Sequence, residues 1–345
     1  MKKYLSMLLV ACLAIACLTG CGAGKQASET TNKPTKKLKI VTTIFPEYDW
    51  VKNIMGDKFA QAEVTMLLSN GTDIHSYQPT IQDMMKVSDC DLFIYVGGES
   101  DQWVSKALKE TKNKNMQTVN LLEVLGSKVK NENDEGDEHK VEGESAGESK
   151  TIAPRASQPA HKEAKEPDKD EHVWLSLKNA QIFCTAITKA LCEVDPSNAG
   201  VYNANSKKYL AQLAALDQEY AKTLTGSQKK TVVFGDRFPF LYLFDDYGLK
   251  HYAAFAGCSA ETEASFKTIR FLAGQIDALG LKNIFTVEKS DQKIAKTVLQ
   301  TTTQKNQKIL TLDSMQATTA QDVAAGATYL GIMQKDLAVL KEGLN

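Results

Sequence analysis

Eight short strand-like runs, four on each side of one long amphipathic segment, constrain this chain more than any other feature. The first four cover 38–44, 64–68, 91–96 and 117–120, and the second four cover 230–234, 252–255, 283–286 and 308–312. Helical patterns lie between them, over 46–55, 81–86, 103–109, 239–247, 264–279 and 293–303, with a last helix over 322–340. Near-continuous runs of Val, Ile, Leu and Phe, alternating with helix-length segments, read as parallel strands covered by helices. Between the two series, Asp195-Pro196 opens a segment whose apolar positions Tyr209, Leu213, Leu216, Tyr220 and Leu224 recur at three and four residues. That spacing is one face of a helix, and Gly226 ends it. At about 1.5 Å per residue it spans more than ~35 Å, enough to join two lobes.

The expected fold is therefore α/β: two βα lobes with parallel-type sheets, joined by one long backbone helix, with a cleft between the lobes. The expected divisions are a signal peptide over 1–20, a flexible tether over 21–36 and an N-terminal lobe over 37–194. The linking helix follows over 195–226 and a C-terminal lobe over 227–345. A length of 345 residues with 43% hydrophobic content supports a core of this size. The formal net charge of -1 gives no reason to expect nucleic acid as a partner.

The leader has a basic start, Met1-Lys-Lys-Tyr, and an apolar run over 5–18. This is the pattern of a secretory signal, and the run is too short for a settled membrane span. It ends in Leu18-Thr-Gly-Cys21, which resembles a bacterial lipobox. That resemblance implies cleavage before Cys21 and a lipid on its sulfur, holding the protein on the extracytoplasmic face of the cell membrane. Residues 128–170 are rich in acidic residues, Lys, Gly and Ser, with Pro154, Pro159 and Pro167. They read as a disordered acidic insert. It holds His139 and His161, and a solvated spacer is preferred over a weak cation-collecting role. Cys184 and Cys192 lie eight apart on one helix, about 12 Å by helical rise, too far for a disulfide. They read as small buried hydrophobes.

Polar residues just beyond strand ends carry the functional signal, because ligands of open α/β sheets bind at the carboxyl ends of strands. His75 lies in the loop after 64–68, before a helix capped by Thr80. His172 precedes Val173-Trp174. Asp236 follows 232–234, Glu288 follows 284–287 and Asp313 follows 310–312. Two imidazoles with carboxylates suit Zn2+, or Mn2+ if oxygens dominate. There is no G-x-S-x-G elbow, no H-E-x-x-H helix and no Walker or dinucleotide glycine loop.

The chain resembles the solute-binding lipoproteins of zinc/manganese ABC importers, the ZnuA/TroA/PsaA-like family. The matching stretches are 40–46, 71–79, 91–98, 171–175, Asp195-Pro196 with its helix, 246–249 and 257–265. The resemblance implies metal capture between two lobes and delivery to a membrane permease, by a monomer with no catalytic residues. His75 and His172 match the first two ligands, and Asp313 matches a carboxylate that some members use. The family's third ligand would fall at Arg237, counted back from Gly248. A guanidinium is permanently cationic and cannot ligate. Asp236 one residue away, the Cys258 thiolate, or water are the replacements this sequence offers. Affinity is expected to fall as the histidines protonate between about pH 7 and 6. Two other functions fit the same residues. One is a surface adhesin or scaffold with a vestigial metal site. The other is a lipid-anchored metallohydrolase with Glu288 as its base.

Overall fold

The computed structural model describes residues 37–132, 169–259 and 263–345. The leader, the tether with Cys21, and most of the acidic insert with His139 and His161 lie outside the described residues.

The first series of apolar runs forms a four-stranded sheet: β1 (Lys39–Thr42), β2 (Glu63–Met66), β3 (Leu92–Tyr95) and β4 (Gln117–Asn120). Its order is β2-β1-β3-β4 and every pairing is parallel. The second series forms β5 (Thr231–Phe238), β6 (Lys250–Ala256), β7 (Asn283–Val287) and β8 (Lys308–Leu312). Its order is β6-β5-β7-β8, again all parallel. All four residues of β3 and all five of β7 are buried, as expected for strands covered on both faces. In each sheet the order reverses beside the first strand of its series, between β1 and β3 and between β5 and β7. A crevice opens at such a switch point, outside the carboxyl ends of the strands.

The long helix runs Ala199–Thr225, 27 residues or about 40 Å, after a 3-10 turn at Pro196–Asn198. Its buried face is Tyr202, Ser206, Tyr209, Leu213, Leu216, Tyr220 and Leu224. Ser206 receives the Thr188 hydroxyl at 2.7 Å, and Asn205 donates to the Ile54 carbonyl at 3.1 Å, tying the helix to the first half. Tyr220 donates to the Met333 carbonyl at 2.6 Å, and Asp217 accepts from Tyr247 at 2.7 Å, tying it to the second. The last helix, Tyr329–Gly343, returns to the first half, where Tyr329 donates its N–H to Asp49 and its hydroxyl to the Trp174 carbonyl.

Two boundaries differ from expectation in ways that reach the site. Strand β5 continues past residue 234 to Phe238, with a register shift between Phe234 and Arg237. A bulge of this kind re-aims side chains next to a crevice. The C-terminal helix is in two pieces, Ala320–Ala324 and Tyr329–Gly343, the second capped by Thr328. Among the described residues no helix is long and apolar enough to cross a membrane. Cys90, Cys184, Cys192 and Cys258 are free thiols, with Cys90 and Cys184 fully buried.

Replacing Leu213, which is fully buried on the linking helix, is expected to leave a cavity. Leu213→Ala should cost about 2–5 kcal/mol, while Gln212→Ala, on the exposed face, should stay within about 0.5 kcal/mol. Urea unfolding of the two variants measures the difference.

Candidate metal centre

The carboxyl ends of both sheets supply the site. The loop after β2 folds into a 3-10 turn, Ile74–Ser76, whose cap Asp73 accepts the His75 N–H at 2.9 Å. This turn presents His75 beside His172, which lies just before the turn Val173–Leu175. The two Nε2 atoms are 3.2 Å apart and the rings meet at 61°.

The proton inventory of the pair follows from its partners. Asp170 is an acceptor, so the 3.1 Å contact to His172 Nδ1 is a donation from the ring. Asp170 also accepts the His172 N–H at 2.8 Å. On the other ring, Nδ1 lies 2.9 Å from Ser100 Oγ. The single Ser100 hydroxyl proton goes to Glu171 Oε2, and Ser100 N–H donates to Glu171 Oε1 at 2.9 Å. Ser100 Oγ is therefore an acceptor toward His75 Nδ1–H. With both Nδ1 protons committed outward, two Nε2 lone pairs face each other. Only a shared proton or a cation satisfies them.

Burial, with the neighbouring His172 charge, pushes the His75 imidazole down to about 4. Burial would also lower His172, but the Asp170 carboxylate more than offsets it, and the net direction is up. The two shifts run in opposite directions, so a proton added to the pair is held by His172 in preference to His75.

The third member is Cys258, in the loop after β6. Among the described residues one cluster of His, Cys, Asp and Glu is close enough to hold a metal ion: His75, His172 and Cys258, with ligand atoms all within 4.8 Å of one another. Burial pushes the Cys258 thiol up, and the Glu132 carboxylate beside it adds to the rise. Glu132 accepts the Cys258 N–H at 2.8 Å. Glu132 stands at the stem of the acidic insert, where Asn131 bridges Lys169 and Asp170 N–H donates to Lys130 at 2.9 Å. The described ends of the insert, Glu132 and Lys169, thus lie on the side of the His75–His172–Cys258 cluster.

Two glycines allow this approach. A Cβ on Gly257 would stand 3.0 Å from His172 Cε1 and 2.9 Å from the Phe238 carbonyl. Gly98, at φ +80, has Glu171 Oε1 2.1 Å from where its Cβ would be. Only glycine accepts both that backbone and that contact.

The carboxylates named from the sequence are not brought to the imidazoles. Asp313 Oδ1 accepts the Met315 N–H at 2.8 Å, and its own N–H donates to Asp336. Glu288 accepts Ser314 N–H at 2.8 Å and the Ser314 hydroxyl at 2.7 Å. Burial and the Asp313 charge push Glu288 up to about 7. Its chemistry is structural, because Ser314 in turn accepts Trp174 Nε1–H at 2.9 Å, and the Trp174 ring lies against His172. Asp236 lies in the β5 bulge, its Oδ1 accepting the Arg237 N–H at 2.9 Å and its Oδ2 buried without a hydrogen bond. None of the three joins the cluster. Arg237 does not fill the gap between the rings; it reaches Asp73 at 2.7 Å. Sequence reasoning missed Ser100, Asp170 and Glu132 as partners of His75, His172 and Cys258. The adjacency of Asp170-Glu171 to His172 was the available signal.

Comparison with known proteins places the chain in a family. Residues 40–343 match the family model described as "ZnuA: Zinc-uptake complex component A periplasmic". The zinc-binding lipoprotein AdcA of Streptococcus pneumoniae is 30% identical over 99% of this chain, which spans 61% of that protein. The high-affinity zinc uptake system protein ZnuA of Bacillus subtilis is 29% identical, over 99% of this chain and 98% of that one. The chain spans little more than half the length of the AdcA proteins it matches. Among solved structures, the Zn(II)-bound ZnuA-like domain of S. pneumoniae AdcA aligns with a TM-score of 0.65 at 27% identity, covering 89% of this chain and 99% of that one. The metal-dependent lipoprotein YcdH of B. subtilis aligns at 0.68 and 28%, covering 89% of this chain and 99% of that one. The laminin-binding adhesin Lmb of Streptococcus agalactiae aligns at 0.68 with 22% identity over 90% of this chain and all of that one, a likeness of fold alone. With the family model matched from β1 to the last helix, the chain belongs to the ZnuA family of zinc-uptake components.

Proposed function

We propose that this protein is the extracytoplasmic solute-binding component of an ABC importer, and that its cargo is Zn2+. His75, His172 and Cys258 hold the ion between the two halves, and a membrane permease receives it. The lipid on Cys21 keeps the protein at the outer face of the membrane. One observation carries the reading: two imidazole lone pairs face each other at 3.2 Å, with both outer ring protons committed to acceptors. Two nitrogens and a sulfur form a donor set that favours Zn2+ over Mn2+, which prefers oxygen ligands. A fourth position is left to water. The relatives named as zinc-binding and zinc-uptake proteins support the same cargo.

Capture needs no bond making in the cargo, so the protein's work is binding, orientation and exchange of protons. Asp170 orients His172, Ser100 with Glu171 orients His75, and Glu132 holds the backbone of Cys258. Partners of this kind fix tautomer and ring direction and raise ligand basicity. Loading shifts the population of the form a permease recognises, by the difference in affinity between forms. The candidate base of the hydrolase alternative, Glu288, accepts hydrogen bonds from Ser314.

His75→Ala removes one of the two converging lone pairs. Calorimetry should show zinc affinity falling by more than about 100-fold, beyond the 10–100-fold loss typical of outer partners; unchanged affinity would contradict the assignment. The pH dependence has a definite sign. The ion must displace the raised Cys258 thiol proton and any proton held on His172. Because His75 itself titrates only at about 4, the slope near neutrality comes from those two groups. Affinity should rise at least about tenfold per pH unit between about pH 6 and 8, with one or more protons released per ion. Calorimetry in buffers of different ionisation enthalpy counts the protons, and a count of zero would contradict the thiol and imidazole roles.

A further inference from the structure

Arg237 occupies the place where the family resemblance puts a third ligand. It stands at the bulged end of β5 in the second half. Its Nη2 crosses to the first half and donates to Asp73 Oδ2 at 2.7 Å. The other oxygen of that carboxylate, Oδ1, accepts the N–H of His75 and caps its turn. One carboxylate therefore has one oxygen on the turn that carries a metal ligand and the other on a cation of the opposite half. The pair lines an open cleft of about 450 Å³, formed by Gly71, Asp73 and Ser76 on one side and Asp236, Arg237 and Lys289 on the other. Close to this rim, Ala320 N–H donates to the Ser69 carbonyl at 2.8 Å, a second tie between the His75 loop and the second half. Burial acts to raise the Asp73 carboxyl, and the charge and hydrogen bond of Arg237 overcome it, holding it below the usual range.

A guanidinium has donors and no free lone pair, so Arg237 cannot replace a ligand in kind. Its planar fork does match a carboxylate. We propose that Arg237 is a positioning residue, a latch that clamps the His75 turn to the second half through Asp73 and so slows escape of the bound ion. The inference rests on the reading that His75 holds that ion. For the ion to leave, His75 must move away from His172. His75 moves with its turn, and the turn is held at its cap. Breaking the Asp73–Arg237 pair removes the side-chain tie at the cap of the His75 turn, leaving the Ser69–Ala320 backbone bond and the ligand set intact.

The test uses the full-length protein loaded with Zn2+ and challenged with excess chelator in a stopped-flow instrument. Arg237→Ala and Asp73→Asn should each release zinc about tenfold faster, as truncation of one partner of a partly buried pair acts mainly on departure. Asparagine keeps an acceptor for the His75 N–H, so the cap survives while the charge is lost. The double variant should be no faster than either single one, since both break one interaction. Arg237→Lys should fall between wild type and Arg237→Ala, because a point charge pairs without the fork. The absorption spectrum of Co2+-loaded Arg237→Ala should match wild type, since no ligand has changed. Release within about twofold of wild type, additive effects in the double variant, or an altered Co2+ spectrum would overturn the latch. His75→Ala run in parallel separates the two readings. If it keeps wild-type zinc affinity, the metal site fails and the latch with it. If it loses affinity while Arg237→Ala releases zinc normally, the latch alone fails.

Discussion

Two imidazoles turned lone pair to lone pair are the interaction on which the rest of this structure depends. Nε2 atoms 3.2 Å apart, each aimed at the other, are favourable only with a positive charge between or beside them. The protein sets up this arrangement by spending both Nδ1 protons elsewhere, one on Asp170 and one on Ser100. Ser100 can accept because its own proton is given to Glu171. Glu171 can come that close because residue 98 is a glycine with φ +80. The chain of causes runs from a backbone conformation to the chemistry of a ring nitrogen 23 positions away in sequence.

The fold explains why His75 and His172, 97 residues apart, meet at all. Two parallel sheets reverse their strand order at β1/β3 and β5/β7, and each opens its crevice at the carboxyl ends of its strands. The linking helix and the returning C-terminal helix are hydrogen-bonded to both halves. They fix the two crevices toward each other, so that Cys258 from the second half can complete what the first half begins. Alternation of short apolar runs with helical segments, and the single apolar face of the linking helix, were enough to read this architecture from residues alone. Strand and helix ends were less legible. The β5 bulge, for example, has no hydrophobic signature, because it involves Gly235 and Asp236.

The site was legible in part, and for a physical reason. His75 stands in the loop after a recognisable strand, so its place followed from periodicity, while His172 lies outside any strand end and its role was implied by the family resemblance. Asp236, Glu288 and Asp313 meet the same local criterion, yet none shares the cluster. Each had a nearer backbone or hydroxyl donor to satisfy: Arg237 N–H, Ser314 and Met315 N–H respectively. A position beyond a strand end says that a carboxylate is near the crevice, and the competition for donors decides where it points. Cys258 was one of several replacements the sequence offered for the missing third ligand, a thiol in a loop. Its proximity depends on Gly257 letting the backbone lie against His172 and Phe238, a packing fact that residue type alone does not carry.

In the proposed site, sulfur completes a pair of imidazoles around the cargo ion. X-ray absorption fine structure at the zinc edge of the loaded full-length protein reads the donor atoms directly. A His75–His172–Cys258 site should give one sulfur scatterer at about 2.3 Å together with imidazole nitrogens at about 2.0–2.1 Å. A first shell made of nitrogen and oxygen alone, or one without imidazole, would contradict it.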